Sequence, residues 1–307
     1  MDAIVNAAVE SMLERKKFLP WVNNSCHFSV FMFAELCSYA KIGRPYWLDD
    51  NGKDRRISII EQQIYFLLKV FPNENQETVS RESQYVRDAL NQNTSFRNTN
   101  QSTSAHADSL DHVNVLVSES RGRRKIHVKV QHMYQAKSPQ HICGMSTERN
   151  EVDLKWVRIR EEAKSSALNE DRLVRAIKSD PAIRHLDYHR CTGKSRSNKR
   201  CPAVYSYGYI SHDMGDIVVL ALETPVDDEG YPTILVRGRS RYHLTCVLFC
   251  NGTHYKAVGL VGKKWYLYDD IPNSMSEIFV SDRFRPETIS SLRRYNPWLA
   301  YYSKSSL

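Results

Sequence analysis

The sequence has no apolar run approaching the roughly 18 residues of a membrane-crossing helix. Its N-terminus, MDAIVNAAVESMLERKK, carries Asp2 and Glu10 and has no apolar stretch of signal-peptide length. Neither a span nor a secretory leader is expected, and the expected location is cytoplasmic or nuclear. There is no Cys-x-x-Cys pair among the seven cysteines. An odd number at uneven spacing argues against a fully paired disulfide framework and for a reducing compartment with buried or functional thiols. Asn-x-Ser/Thr triplets begin at Asn23, Asn93, Asn100 and Asn251, and carry no sugar in such a compartment. No internal repeat is visible, which excludes a solenoid or propeller. The basic clusters Arg121 to Lys125, Lys194 to Arg200 and Arg237 to Arg241 lack the aromatic interleaving or helix-turn-helix pattern of a nucleic-acid binder. The net charge of +8 therefore leaves nucleic acid as a minor alternative partner.

What is present is a globular composition. Of 307 residues, 41% are hydrophobic and 25% charged, enough apolar material to exclude wholesale disorder. The length suits two domains, or one large domain with an insertion. Helical spacing of Val5, Val9, Met12 and Leu13 predicts an amphipathic first helix. The stripe Phe28, Phe31, Met32, Leu36 and Tyr39 predicts a buried helix over 26 to 40. Further helices are predicted over 57 to 71, stopped by Pro72, and over 81 to 91. Residues 91 to 109 are almost wholly polar and read as a linker. Strands are predicted over 113 to 117 and 126 to 134, and 151 to 178 combine charge with helical periodicity. From 203 onward the pattern is β, with segments 217 to 222, 233 to 237, 242 to 249, 255 to 261 and 265 to 268. Helices first and antiparallel strands last is an α+β order.

Two places carry chemistry. Cys26 opens the buried helix, where unpaired N–H groups and the helix dipole favour a thiolate nucleophile. Ser25 or Asn24 is a candidate N-cap, and Asn24 with the Cys26 amide are candidate oxyanion donors. The second place is a hairpin whose strands meet at Gly262-Lys263. A two-residue turn pairs 261 with 264, so Lys256 faces Asp269 and His254 is its diagonal neighbour on that face. Alternation turns Asp270 the other way. Parity thus selects Asp269 to orient His254. A thiol at a helix start with a histidine and a carboxylate on paired strands is what a papain-like thiol hydrolase needs.

At these residues the sequence resembles the ubiquitin-specific protease family of deubiquitinases. Asn24-Ser25-Cys26-His27-Phe28 is similar to the cysteine box. Tyr242 to Leu248 followed by Thr253-His254-Tyr255-Lys256-Ala257 is similar to the histidine box. Lys264-Trp265-Tyr266-Leu267-Tyr268-Asp269-Asp270 resembles the Trp-Tyr-x-Phe-Asp-Asp stretch, and Leu299-Ala300-Tyr301-Tyr302 the closing strand. The resemblance implies a papain-like fold of helical thumb, antiparallel β palm and inserted β fingers. It implies a single catalytic domain over 1 to 307, divided at 1 to 90, 91 to 202 and 203 to 307. Cys26, His254 and Asp269 are then catalytic. Glu82 and Tyr255 bind substrate, and ubiquitin or a ubiquitin-like modifier such as SUMO is the partner. Residues 91 to 200 match poorly. Trp21 stands where the family has its oxyanion asparagine, and Thr253 where it has glycine. A silent, modifier-binding relative is the alternative reading. No cofactor is expected beyond a possible structural zinc, for which Cys143, Cys191, Cys201 and one of His141, His185 and His189 are weak candidates. Cys37, Cys246 and Cys250 read as buried thiols.

Overall fold

Asp2 starts the first helix: its Oδ1 accepts from the amides of Ile4 and Val5 at 3.0 and 3.2 Å, an N-cap. The computed structural model describes residues 2–19, 25–43, 59–92, 113, 125–135, 149–154, 156–159, 168–180, 183, 189–190, 204–222, 230–237, 240–271 and 273–304. Helix α1 spans Ala3–Arg15 and ends at Lys16, whose φ is 52°. Helix α2, Cys26–Ile42, is buried on every side except at its last turn, as suits a uniformly apolar helix. It stops where Gly43 takes φ 84° and donates its amide to the Tyr39 carbonyl at 2.9 Å. Helix α3 is Ile59–Val70 and α4 is Gln76–Gln92. The last begins earlier than periodicity indicates because Asn75 Oδ1 accepts the Thr78 amide at 2.9 Å and caps it.

The middle of the chain supplies β1 (Ile126–Gln135), β2 (Arg149–Leu154), β3 (Val157–Ile159), α5 (Glu170–Ser179), β4 (His189–Arg190) and β5 (Val204–Met214). Strands β2-β1-β5-β4 form one antiparallel sheet in that order. This corrects the helical reading of 151 to 178: among its described residues, β2 and β3 are strand and the helix begins at Glu170. Strand β2 is an edge strand, and edges carry the charges that disguised it. In the predicted strand 113 to 117, Val113 is helical and the rest lies outside the described residues. So do the polar stretch from 93 and most of the basic loops.

The C-terminal third supplies β6 (Ile217–Leu222), β7 (Tyr231–Pro232), β8 (Ile234–Arg237), β9 (Ser240–Cys250), β10 (Tyr255–Val261), β11 (Lys264–Asp269), β12 (Ser274–Ile278), β13 (Arg283–Phe284) and β14 (Asn296–Lys304). The larger sheet runs β12-β11-β10-β9-β14-β6-β3, with β8 also paired to β9. All its pairs are antiparallel except β3 with β6. Both faces are covered, which is why β6 reads as an unbroken apolar run. Ile217, Val219 and Ala221 join the core under α1 to α4, while Val218, Leu220 and Leu222 join a second core on the opposite face. The chain is thus an α+β protein.

Helix α2 lies close on the sheet. A Cβ on Gly259 of β10 would stand 2.6 Å from both Cys37 Sγ and a Phe33 ring carbon. Phe33 stacks on Tyr268 of β11 with ring centroids 5.0 Å apart. Ser38 and Thr245 hydroxyls are 3.2 Å apart and Thr245 and Ser303 3.3 Å, tying α2 to β9 and β14. This packing sets the start of α2 beside one end of the β9-β10-β11 strands.

Candidate active site

The hairpin of β10 and β11 has the register expected of a two-residue turn, with Val261 opposite Lys264 and Ala257 opposite Tyr268. Gly262 takes φ 63°, a conformation that glycine adopts without strain. Before β10 the chain turns through Asn251, whose Oδ1 accepts the amides of Thr253 and His254 at 3.0 and 2.8 Å. The Thr253 hydroxyl donates to the same oxygen at 3.1 Å. This Asx turn, with Gly252 at φ 96°, holds the backbone of His254.

His254 Nε2 lies 2.7 Å from Asp269 Oδ1, and Lys256 Nζ lies 3.0 Å from Asp269 Oδ2. The same Asp269 Oδ1 accepts the Ile271 amide at 3.2 Å. Burial pushes the Asp269 carboxyl up, but bonds from His254 and Lys256 outweigh it and hold it below the ordinary value. Asp269 is therefore ionised at neutral pH, and Nε2 donates. The lone pair or proton on Nδ1 is left for other chemistry. Burial works against the imidazolium of His254. The bond to Asp269, the Cys26 side chain and the charges of Asp269 and Asp270 more than compensate, raising it to about 9.

Cys26 is the first residue of α2, 5% exposed and free of any disulfide. Ser25 occupies the cap position, but its side chain caps no amide. Its carbonyl accepts from Phe28 and Ser29 at 2.9 and 2.8 Å, and its hydroxyl is 3.5 Å from that of Ser29. Asn24, Asn23 and Trp21 lie outside the described residues.

Asp270 departs from the alternation argument. Strand β11 ends at Asp269, so the next side chain no longer follows the pleat. The Asp270 carboxyl is buried, with Oδ1 3.8 Å from His254 Nδ1. Burial raises it to about 7 despite the nearby His254, with Asp269 adding to the rise and the Ser29 hydroxyl opposing it. Neither oxygen makes a hydrogen bond of ordinary geometry.

Tyr255, the first residue of β10, meets the buried His27 ring edge-on at 6.5 Å. Glu82 sits on α4 with Oε1 3.5 Å from Arg81 Nε. The α4 side chains that line a small cavity with Ser25 and Ser29 are instead Ser80, Ser83, Gln84 and Arg87. Of the weak zinc candidates, His189 lies in β4, and Cys143, Cys191 and Cys201 are outside the described residues. Cys37 and Cys246 are buried, and Cys250 is half-buried. Sequence reasoning missed Tyr295, which meets His254 edge-on at 6.3 Å and lies under Lys256 Nζ at 4.8 Å. It also missed Ser29. Both reach the site only through tertiary packing, for which periodicity carries no signal.

No protein-family model and no curated protein matches the sequence. Solved structures do resemble the fold. One is described as a SAGA DUB module of Ubp8, Sgf11, Sus1 and Sgf73 bound to monoubiquitin, with a TM-score of 0.52 and 12% identity. The match covers 95% of this chain and 69% of that one. A second structure of the Ubp8, Sgf11, Sgf73 and Sus1 SAGA DUB module matches with a TM-score of 0.52 and 11% identity, over 96% of this chain and 69% of the other. At such identity the likeness shows a shared fold.

Proposed function

We propose that this chain is a thiol isopeptidase that removes ubiquitin or a ubiquitin-like modifier from conjugates, built as a divergent ubiquitin-specific protease. The observation that carries the reading is the hydrogen bond of His254 Nε2 to Asp269, which leaves Nδ1 for the thiol at the start of α2. The fold shared with the DUB-module structures supports it. In this reading α1 to α4 form the thumb, the larger sheet the palm, and 91 to 202 an insertion. The modifier's C-terminal tail enters between the α2 start and the β9-β10 end of the sheet.

Cys26 Sγ attacks the carbonyl carbon of the modifier's last residue, and its proton passes to His254 Nδ1. Asn24 and the Cys26 amide stabilise the oxyanion. The imidazolium then protonates the departing lysine amine as the C–N bond breaks, leaving a thioester on Cys26. Water attacks that thioester while His254 accepts its proton. The C–S bond breaks, the thiol is regenerated and the modifier leaves with a free carboxylate. Asp269 keeps the imidazole in the Nε2–H tautomer, and Lys256 holds Asp269. Glu82 and Tyr255 contact the modifier, and the working compartment is the cytoplasm or nucleus.

Hydrolysis of ubiquitin- and SUMO-coumarin conjugates tests the reading. At least one is expected to turn over, with loss of about a thousandfold or more in Cys26→Ala and in His254→Ala. Trp21, at the position of the resembled family's oxyanion asparagine, favours a second reading: a silent modifier-binding protein. Binding that Cys26→Ala leaves unchanged, with no turnover by the native chain, selects it.

A further inference from the structure

Pro286, Tyr295 and the buried Tyr231, Leu292 and Pro297 wall a cavity of about 380 Å³ beside the histidine. Glu287, Arg293 and Asn296, all exposed, complete its lining and form its rim. None of these side chains has a part in the steps assigned to Cys26, His254 and Asp269. Two observations tie the cavity to those steps. Tyr295 is shared: its ring meets His254 edge-on with centroids 6.3 Å apart and lies 4.8 Å under Lys256 Nζ, which is 3.0 Å from Asp269 Oδ2. The cavity also belongs to the far face of the larger sheet. Tyr231 and Leu292 are part of the core opposite the helices, whereas the helix that Cys26 opens packs on the near face.

We propose that this cavity receives an aromatic side chain of the polypeptide that carries the modifier, close in sequence to the acceptor lysine. The substrate assignment rests on the isopeptidase reading; the ligand chemistry of the cavity does not. In that reading the modifier's tail fills the helix side of His254, so the far face is left to the polypeptide whose lysine amine departs. Tyr295 puts the cavity one ring beyond the imidazole that protonates that amine. An extended chain advances about 3.3 Å per residue, so the entering side chain lies within roughly three positions of the lysine. Cavities of roughly 300–1,000 Å³ with a mainly apolar and aromatic lining and few polar groups take up an apolar group and orient it. Tyrosine and proline rings offer broad surfaces here, and an aromatic side chain buries much area against them at the cost of few rotors. At the rim the Glu287 carboxylate and the Arg293 guanidinium cancel in charge. They offer an acceptor and a donor to the N–H and C=O groups of a neutral peptide, and suit neither a phosphate nor a run of like charge.

Ubiquitin and, in parallel, SUMO are joined by an isopeptide bond to the lysine of a short peptide. One series carries tryptophan in turn at each position up to three residues from the lysine, and its reference carries alanine throughout. At least one tryptophan position is expected to raise kcat/KM about tenfold or more over the reference. Asn296→Trp, which fills the cavity from its rim, is expected to bring that ratio to within about twofold of one. A variant that folds poorly loses rate on both conjugates alike and leaves the ratio readable. Ligand-observed NMR of N-acetyltryptophanamide and N-acetylalaninamide reads the cavity without turnover. Binding of the first alone to the native chain is expected, with its loss in Asn296→Trp. Equal kcat/KM for the tryptophan and alanine conjugates overturns the proposal, as does N-acetyltryptophanamide binding that is absent from the native chain or unchanged in Asn296→Trp. If no conjugate of either modifier turns over, the isopeptidase reading fails and the binding result alone decides the cavity.

Discussion

Asp269 and Asp270 are adjacent and both face one imidazole, yet they are driven in opposite directions. Asp269 has two cationic partners and is held below its ordinary value; for Asp270 burial outweighs the pull of His254 at 3.8 Å, and it rises to about 7. His254 rises to about 9. A raised value contributes stability that is complete below the unfolded value and is lost as pH rises through the folded one. For His254 that loss falls between 6.5 and about 9, and for Asp270 between 3.8 and about 7. Asp269 acts in the opposite sense, contributing above 3.8 and losing its contribution on acidification. The site's contribution to unfolding free energy, measured by urea titration, is therefore expected to fall from pH 5 to pH 9. Asp270→Asn is expected to flatten the part between pH 4 and 7. A slope in that interval equal to the native one would contradict the burial of an ionising Asp270. Parity along a strand made His254 and Asp269 legible in the sequence. It failed for Asp270 because the strand ends one residue before it.

At the scale of elements, the site depends on how closely α2 lies on the larger sheet. Gly259 is the closest approach, with room for no Cβ between β10 and the side chains of Cys37 and Phe33. Gly259→Ala is expected to cost about 1–3 kcal/mol in urea denaturation, since α2 must move outward or those side chains must leave their rotamers. An unchanged midpoint would mean that α2 is not seated there. The turn before β10 is tested separately. Asn251→Ala removes the acceptor of two amides and one hydroxyl, and is expected to lower kcat/KM about tenfold to a hundredfold by loosening His254. If kcat/KM is unaltered, the turn does not position the histidine. Helix α2 and the hairpin were readable because apolar periodicity and a Gly-Lys turn are local signals. Strand β2 was not, because among the described residues Arg149–Leu154 pairs only with β1 and carries edge charges. The Asn75 cap that lengthens α4 was overlooked although its residue type is a recognised start signal.

At the scale of the molecule, one sheet has two cores. The helices cover one face, and α5 with the second sheet builds against the other. The α+β order was legible because helical and β patterns occupy opposite ends of the chain. In the middle, the strand over 126 to 134 was legible and is β1, whereas β2 and β4 were not, being charged and pairing over long separations. The net charge of +8 provides a further check on the partner. If a nucleic acid were the main ligand, its binding would weaken steeply with added salt. Binding of a modifier at the proposed Cys26–His254 site is expected to show a much shallower dependence. The most direct measurement is the mass of the folded chain after exposure to a panel of C-terminally electrophilic ubiquitin and ubiquitin-like probes. One adduct per chain, carried on Cys26 by at least one modifier and absent in Cys26→Ala, is the predicted result. No adduct from any probe on folded protein, or an adduct that persists in Cys26→Ala, would contradict the assignment of Cys26, His254 and Asp269 as an isopeptidase centre.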